Sequence, residues 1–107
     1  MEKINSFDFI GVLSNTLPSV VLFSLKDDKL NKLKKDLHSI KSNLTKLPLY
    51  EMIIDENEKN EELAEYLGIE QTPFLAVFKD GSFNRYKDKN FTLTTIKKFI
   101  GGQKIYS

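Results

Sequence analysis

Val20-Val21-Leu22-Phe23, flanked by Ser19 and Ser24, form an apolar run rich in β-branched side chains, and no polar residue alternates within it. A strand of this kind is buried on both faces, as in a parallel sheet covered by helices on each side. The neighbouring residues offer such a helix. Leu30, Leu33, Leu37, Ile40 and Leu44 recur at intervals of three and four, which lines them along one helical face. Asp27 or Asp28 stands at the expected start of that helix, where a carboxylate can accept free backbone N–H groups and meet the positive end of the dipole. Pro48 marks its exit.

The rest of the chain divides in the same way. Ile4 to Ser14 spaces Phe7, Ile10 and Leu13 three apart, which predicts a short amphipathic helix capped by Asn5 or Ser6 and closed off by Pro18. Residues 49–54 read as a second strand ending in the acidic stretch Asp55 to Glu58. A helix from Asn60 to Leu67 follows, with Leu63, Ala64 and Leu67 inward and Gly68 as its terminator. Phe74 to Phe78 is a further buried strand, begun by Pro73 where proline costs no ladder donor. Lys79-Asp80-Gly81-Ser82 carries the Asp-Gly hairpin signal, and Phe83 to Tyr86 is the antiparallel return strand at a sheet edge. Thr92 caps a last helix with Leu93, Ile96, Phe99 and Ile100 inward, Lys97 and Lys98 in its last turn, and Gly101 at its end. The order is αβαβαββα. A right-handed crossover makes the first two strands parallel, so the expected fold is α/β: one domain over residues 1–107, a four-stranded mixed sheet flanked by helices.

Composition removes whole classes of chemistry. The chain has 107 residues, enough for one domain, and no cysteine. Disulfides, thiolate nucleophiles, iron–sulfur clusters and Cys-ligated zinc are thereby excluded. No apolar run approaches the roughly 18–20 residues of a membrane span. The N-terminus Met1-Glu2-Lys3-Ile4-Asn5-Ser6 turns polar too quickly for a secretory signal, so the expected location is cytoplasmic. Charge is segregated although the net is only +1: residues 26–46 hold seven Lys and three Asp, residues 51–70 eight acids and one Lys, and residues 79–98 six bases and two acids. Such blocks read first as solvated faces of separate elements. A pI near 7.9 argues against nucleic acid as a partner.

Other candidates reduce to ordinary roles. His38, the one histidine, has no companion ligands at metal-binding spacing and reads as a surface residue. Ser24 and Thr72 lack an evident base to activate them. Asp27 and Asp28 could pair as acid and base or bind a cation, but helix capping accounts for both. The sequons Asn43-Leu44-Thr45 and Asn90-Phe91-Thr92 read as chance in a chain without a signal peptide. No cofactor is expected.

The stretch from Gly68 to Gly81, Gly-Ile-Glu-Gln-Thr-Pro-Phe-Leu-Ala-Val-Phe-Lys-Asp-Gly, resembles the thioredoxin family. There a Gly–hydrophobic pair leads to a Thr/Ile/Val-Pro dipeptide, an apolar strand and a Lys-(Asn/Asp)-Gly turn. Val20 to Phe23 is similar to the family's central strand and Met52 to Asp55 to its next parallel strand, so the likeness spans about residues 4–102. The resemblance implies that the Thr72–Pro73 bond is cis, an isomer that only proline makes accessible at about 0.5–1 kcal/mol. It also implies that the backbone of Thr72 pairs with an extended peptide. The departures are concerted. The two positions of the family's Cys-x-x-Cys fall on Asp28 and Asn31, the buried aspartate on Leu22, its lysine partner near Glu51, and the glycine of the substrate groove on Lys89.

The expected function is therefore that of a redox-inactive, non-enzymatic protein that binds a protein or peptide partner at the former active-site end. Asp27, Asp28, Thr72, Pro73 and Lys89 are the candidate binding residues. Two alternatives stand beside it: a structural subunit or homo-oligomer that contacts through the Phe83–Tyr86 edge or its helix faces, and an enzyme of non-thiol chemistry.

Overall fold

The computed structural model describes residues 1–14, 17–43 and 47–105; the expectations for Leu44 and for the sequon at 43–45 fall outside them. The chain runs β1 (Glu2–Lys3), α1 (Ser6–Leu13), β2 (Ser19–Ser24), α2 (Asn31–Asn43), β3 (Leu49–Ile53), a 3₁₀ turn (Ile54–Glu56), α3 (Glu58–Tyr66), β4 (Phe74–Lys79), β5 (Ser82–Arg85) and α4 (Leu93–Ile105). The sheet order is β1-β3-β2-β4-β5. β1, β3 and β2 are parallel, whereas β4 runs antiparallel to β2 and β5 antiparallel to β4. The sheet has five strands, one more than the four expected. β1 is two polar residues long, and neither alternation nor an apolar run announces so short a strand; it exists because Glu2 and Lys3 find Tyr50 and Glu51 beside them.

The buried strands divide their side chains between two cores, as period-2 alternation demands. Val20, Leu22, Leu75 and Val77 meet Leu33, Leu37 and Ile40 of α2 and Ile96 and Ile100 of α4. Val21, Phe23, Phe74, Ala76 and Phe78 meet Phe9 and Val12 of α1 and Ala64 of α3. The second core is aromatic: Phe9 and Phe78 stand edge to face at 5.0 Å, and Phe23 lies 5.8 Å from Phe74.

Several element boundaries and faces differ from expectation. In α1 the buried residues are Phe9 and Val12, while Phe7 and Ile10 are 90% and 75% exposed. An eight-residue helix with apolar residues on both sides has no periodicity that selects one. Asn5 is its cap, in a reciprocal capping box with Asp8. α2 begins at Asn31 rather than at Asp27 or Asp28, and its first turn contains no acid, because Asp28 is committed to an earlier turn. α3 is capped by Asn57 and Asn60 is buried inside it. α4 continues through Gly101 and Gly102 to Ile105. A glycine ends a helix by taking a positive φ, and neither of these does. The hairpin is as expected: Asp80 and Gly81 have φ of 51° and 80°, the paired positive values of a type I′ turn. Among the described residues no helix is long and apolar enough to cross a membrane, and no group of three or more His, Cys, Asp and Glu could hold a metal ion.

Candidate functional site

The pairing of Phe23 with Phe74 brings the C-terminal end of β2 and the N-terminal end of β4 to the same end of the sheet. Three connections gather there: residues 25–30, 67–73 and 86–92. Each is held by hydrogen bonds within itself or to an adjoining element.

The first connection is a turn. Asp28 N–H donates to Leu25 O (3.1 Å), the Asp28 carboxylate accepts from Leu25 N–H (2.8 Å), and Asp55 in the 3₁₀ turn after β3 accepts from Lys26 N–H (2.8 Å). Asp28 thus serves the backbone of its own turn, Asp27 is exposed beside it, and Asn31 opens α2. The part played by Asp55 joins residues 29 apart in the chain, so no local pattern announces it.

The second connection follows α3. Gly68 at φ 76° lets its N–H reach Glu65 O and the Ile69 N–H reach Ala64 O. These are the two bonds of a Schellman motif. Ile69 packs against the aromatic core, which anchors the loop Glu70-Gln71-Thr72 just beyond it. The Thr72–Pro73 peptide is cis. Neither the amide nor the carbonyl of Thr72 makes a hydrogen bond among the described residues.

The third connection is fixed by Tyr86, whose hydroxyl donates to Asn90 O (2.6 Å) and lies 2.6 Å from Thr95 Oγ1. Its ring centroid is 4.9 Å from that of Phe91. Asp88 accepts from Asn90 N–H (3.0 Å), and Thr92 caps α4 by accepting from Thr95 N–H (3.2 Å). The Arg85 guanidinium sits over the Phe74 ring, 5.2 Å from its centroid.

Between the second and third connections lies an open groove of about 780 Å³, whose lining includes Thr72, Pro73, Phe74, Arg85, Lys87 and Lys89. Of the five expected binding residues, Thr72, Pro73 and Lys89 line this groove, and Asp27 and Asp28 belong to the adjacent turn. Arg85, Tyr86, Lys87 and Phe91 were missing from the sequence-based set. A signal existed: Arg85, Lys87 and Lys89 repeat every second residue, the spacing that sets side chains on one side of an extended chain. The arrangement contains no thiol, because the chain contains none. It offers the unpaired backbone groups of Thr72, the rings of Phe74 and Phe91, and one wall bearing Arg85, Lys87 and Lys89, with the carboxylates of Glu70 and Asp88 also in the lining.

No model of a known protein family matches the sequence, and no curated protein matches it. Solved structures do match. A thioredoxin from Fasciola hepatica superposes with a TM-score of 0.79 at 16% identity, covering 96% of this chain and 99% of that one. Chloroplastic thioredoxin z gives 0.78 at 15% identity, over 98% and 95%. Mitochondrial thioredoxin 3 from Saccharomyces cerevisiae gives 0.78 at 14% identity, over 95% and 94%. The fold is that of thioredoxin.

On this thioredoxin fold, two of the positions flagged by sequence lie side by side: Leu22 of β2 is in register with Glu51 of β3. Leu22 is fully buried in the apolar core with α2 and α4. Glu51, half-buried, pairs with Lys34 of α2 at 3.2 Å. The thioredoxin fold is thus retained around a site with no cysteine and no Cys-x-x-Cys motif.

Proposed function

We propose that this protein acts without thiol–disulfide chemistry, by binding an extended polypeptide segment in the groove between the Gly68–Phe74 loop and the Arg85–Phe91 connection. One observation carries this reading: Thr72 lies on the groove, and neither its N–H nor its C=O is paired among the described residues. Unpaired backbone on a groove is what an added strand uses, with main-chain hydrogen bonds supplying affinity and pockets supplying specificity. Thiol–disulfide exchange requires an attacking thiolate, and the chain has no sulfur beyond its two methionines.

The test is selection of peptides from a random phage-displayed library on the purified chain. Peptides should be enriched whose binding weakens at least about tenfold in Thr72→Arg while that variant keeps the parent's circular dichroism. Recovery of no peptide, or of peptides indifferent to Thr72→Arg, would overturn the groove. Insulin reduction should stay at the buffer rate, and turnover above it would overturn the non-redox reading.

A further inference from the structure

The two edges of the sheet are unequal. β1 offers two residues, and Lys3 is tied to Glu56. β5 offers four, and the ladder extends past it through Tyr86 N–H to Leu75 O at 2.8 Å. A two-residue type I′ turn closes on a hydrogen-bonded pair, here Lys79 and Ser82. Antiparallel alternation then aims the peptide groups of Ser82, Asn84 and Tyr86 at β4 and those of Phe83 and Arg85 outward. Phe83 and Arg85, opposite Phe78 and Ala76, are thus the non-hydrogen-bonded pairs of the β4–β5 ladder, and their N–H and C=O groups face away from β4.

An edge of this length with free donors and acceptors is a template for another strand unless something blunts it. The charge along it states which strand. Arg85, Lys87 and Lys89 make no ion pair among the described residues. Of the nearby acids, Asp80 sits in the hairpin turn, Asp88 is turned to Asn90 N–H, and Glu70 stands across the groove in the loop after Gly68 without an ion pair among the described residues. A second copy of this chain would set one net-positive edge against another, which like-charge repulsion opposes.

We propose that β5 accepts a sixth strand from an extended acidic segment of another polypeptide. Its peptide groups bond those of Phe83 and Arg85, and its carboxylates face Arg85, Lys87 and Lys89. The site shares Arg85, Lys87 and Lys89 with the lining of the groove but bonds the backbone of Phe83 and Arg85 instead of that of Thr72. Lysine and arginine on an edge also discourage unwanted pairing, and the same charges select an acidic strand over a basic one.

The experiment is amide exchange by NMR on the ¹⁵N-labelled chain with two synthetic dodecapeptides, one alternating Glu and Val, the other Lys and Val. The Glu–Val peptide should slow exchange at Phe83 and Arg85 by about tenfold or more and leave Thr72 unchanged. Its affinity should fall at least about tenfold in the double variant Arg85→Glu/Lys87→Glu and weaken with salt. Arg85→Pro should also weaken it, since the lost N–H faces away from the ladder. Absence of binding, protection confined to Thr72, or equal protection by the Lys–Val peptide would overturn the proposal. So would protection of Phe83 and Arg85 in the protein alone, accompanied by dimer in sedimentation equilibrium.

Discussion

Asn60 has no exposed surface and its side chain joins three segments. Its Oδ1 accepts from Ser6 N–H (2.8 Å) at the start of α1, and its Nδ2 donates to Ile53 O (3.0 Å) at the end of β3. The residue itself sits in the first turn of α3, where its own N–H donates to the Asn57 cap. A buried polar group with satisfied partners contributes modestly, whereas its removal strands those partners in a place water does not reach. Asn60→Leu keeps the branched side-chain shape and removes the bonds to the Ser6 amide and the Ile53 carbonyl. It is expected to lower unfolding free energy by about 3 kcal/mol, read as a drop in urea midpoint at unchanged m-value. A change under about 0.5 kcal/mol would mean that the network carries no weight.

At the scale of elements, α1 shows how a helix with two apolar sides is oriented by what it docks on. Phe9 packs against Phe23 and Phe78, with centroids at 6.4 and 5.0 Å, and the opposite side leaves Phe7 and Ile10 in solvent. Phe9→Ala should cost about 3–5 kcal/mol by transfer and cavity terms. Phe7→Ser should change stability by no more than about 0.5 kcal/mol, as a surface substitution. Chemical denaturation of the two variants side by side checks this. A larger loss for Phe7→Ser than for Phe9→Ala would place α1 with its other face inward.

At the scale of the whole molecule, one sheet serves two cores. Consecutive residues of β2 enter opposite ones, Leu22 with α2 and α4, Phe23 with α1 and α3. Neither helical layer can lose its packing without exposing the strand that supports the other. Unfolding should therefore be a single cooperative step, with far-UV circular dichroism and tyrosine fluorescence giving coincident urea transitions. Separated midpoints would show that the layers melt independently. The segregated charge of the sequence acquires a place at this scale too, since the basic stretch beyond the hairpin supplies Lys87 and Lys89 to one wall of the groove.

Local chemistry was sufficient for the buried strands, the leucine-striped helix and the Asp-Gly hairpin, because each is specified by side chains or turn residues a few positions apart. It was sufficient, too, for excluding thiol chemistry, which needs only a count of cysteines. β1 was not legible, since two polar residues become a strand only when Tyr50 and Glu51 lie alongside. Nor was the inward face of α1, where Phe7 and Phe9 are equally apolar and the rings of Phe23 and Phe78 choose between them. Asp28 looked like a helix cap until the turn from Leu25 claimed its carboxylate, and Asp55 looked like the end of a strand until Lys26 came within reach. The groove is of the same kind: Thr72 and Lys89 line one groove only because β4 and β5 pair. Short-range periodicity therefore names the elements, while contacts between residues distant in the chain determine which faces meet and which backbone groups stay open.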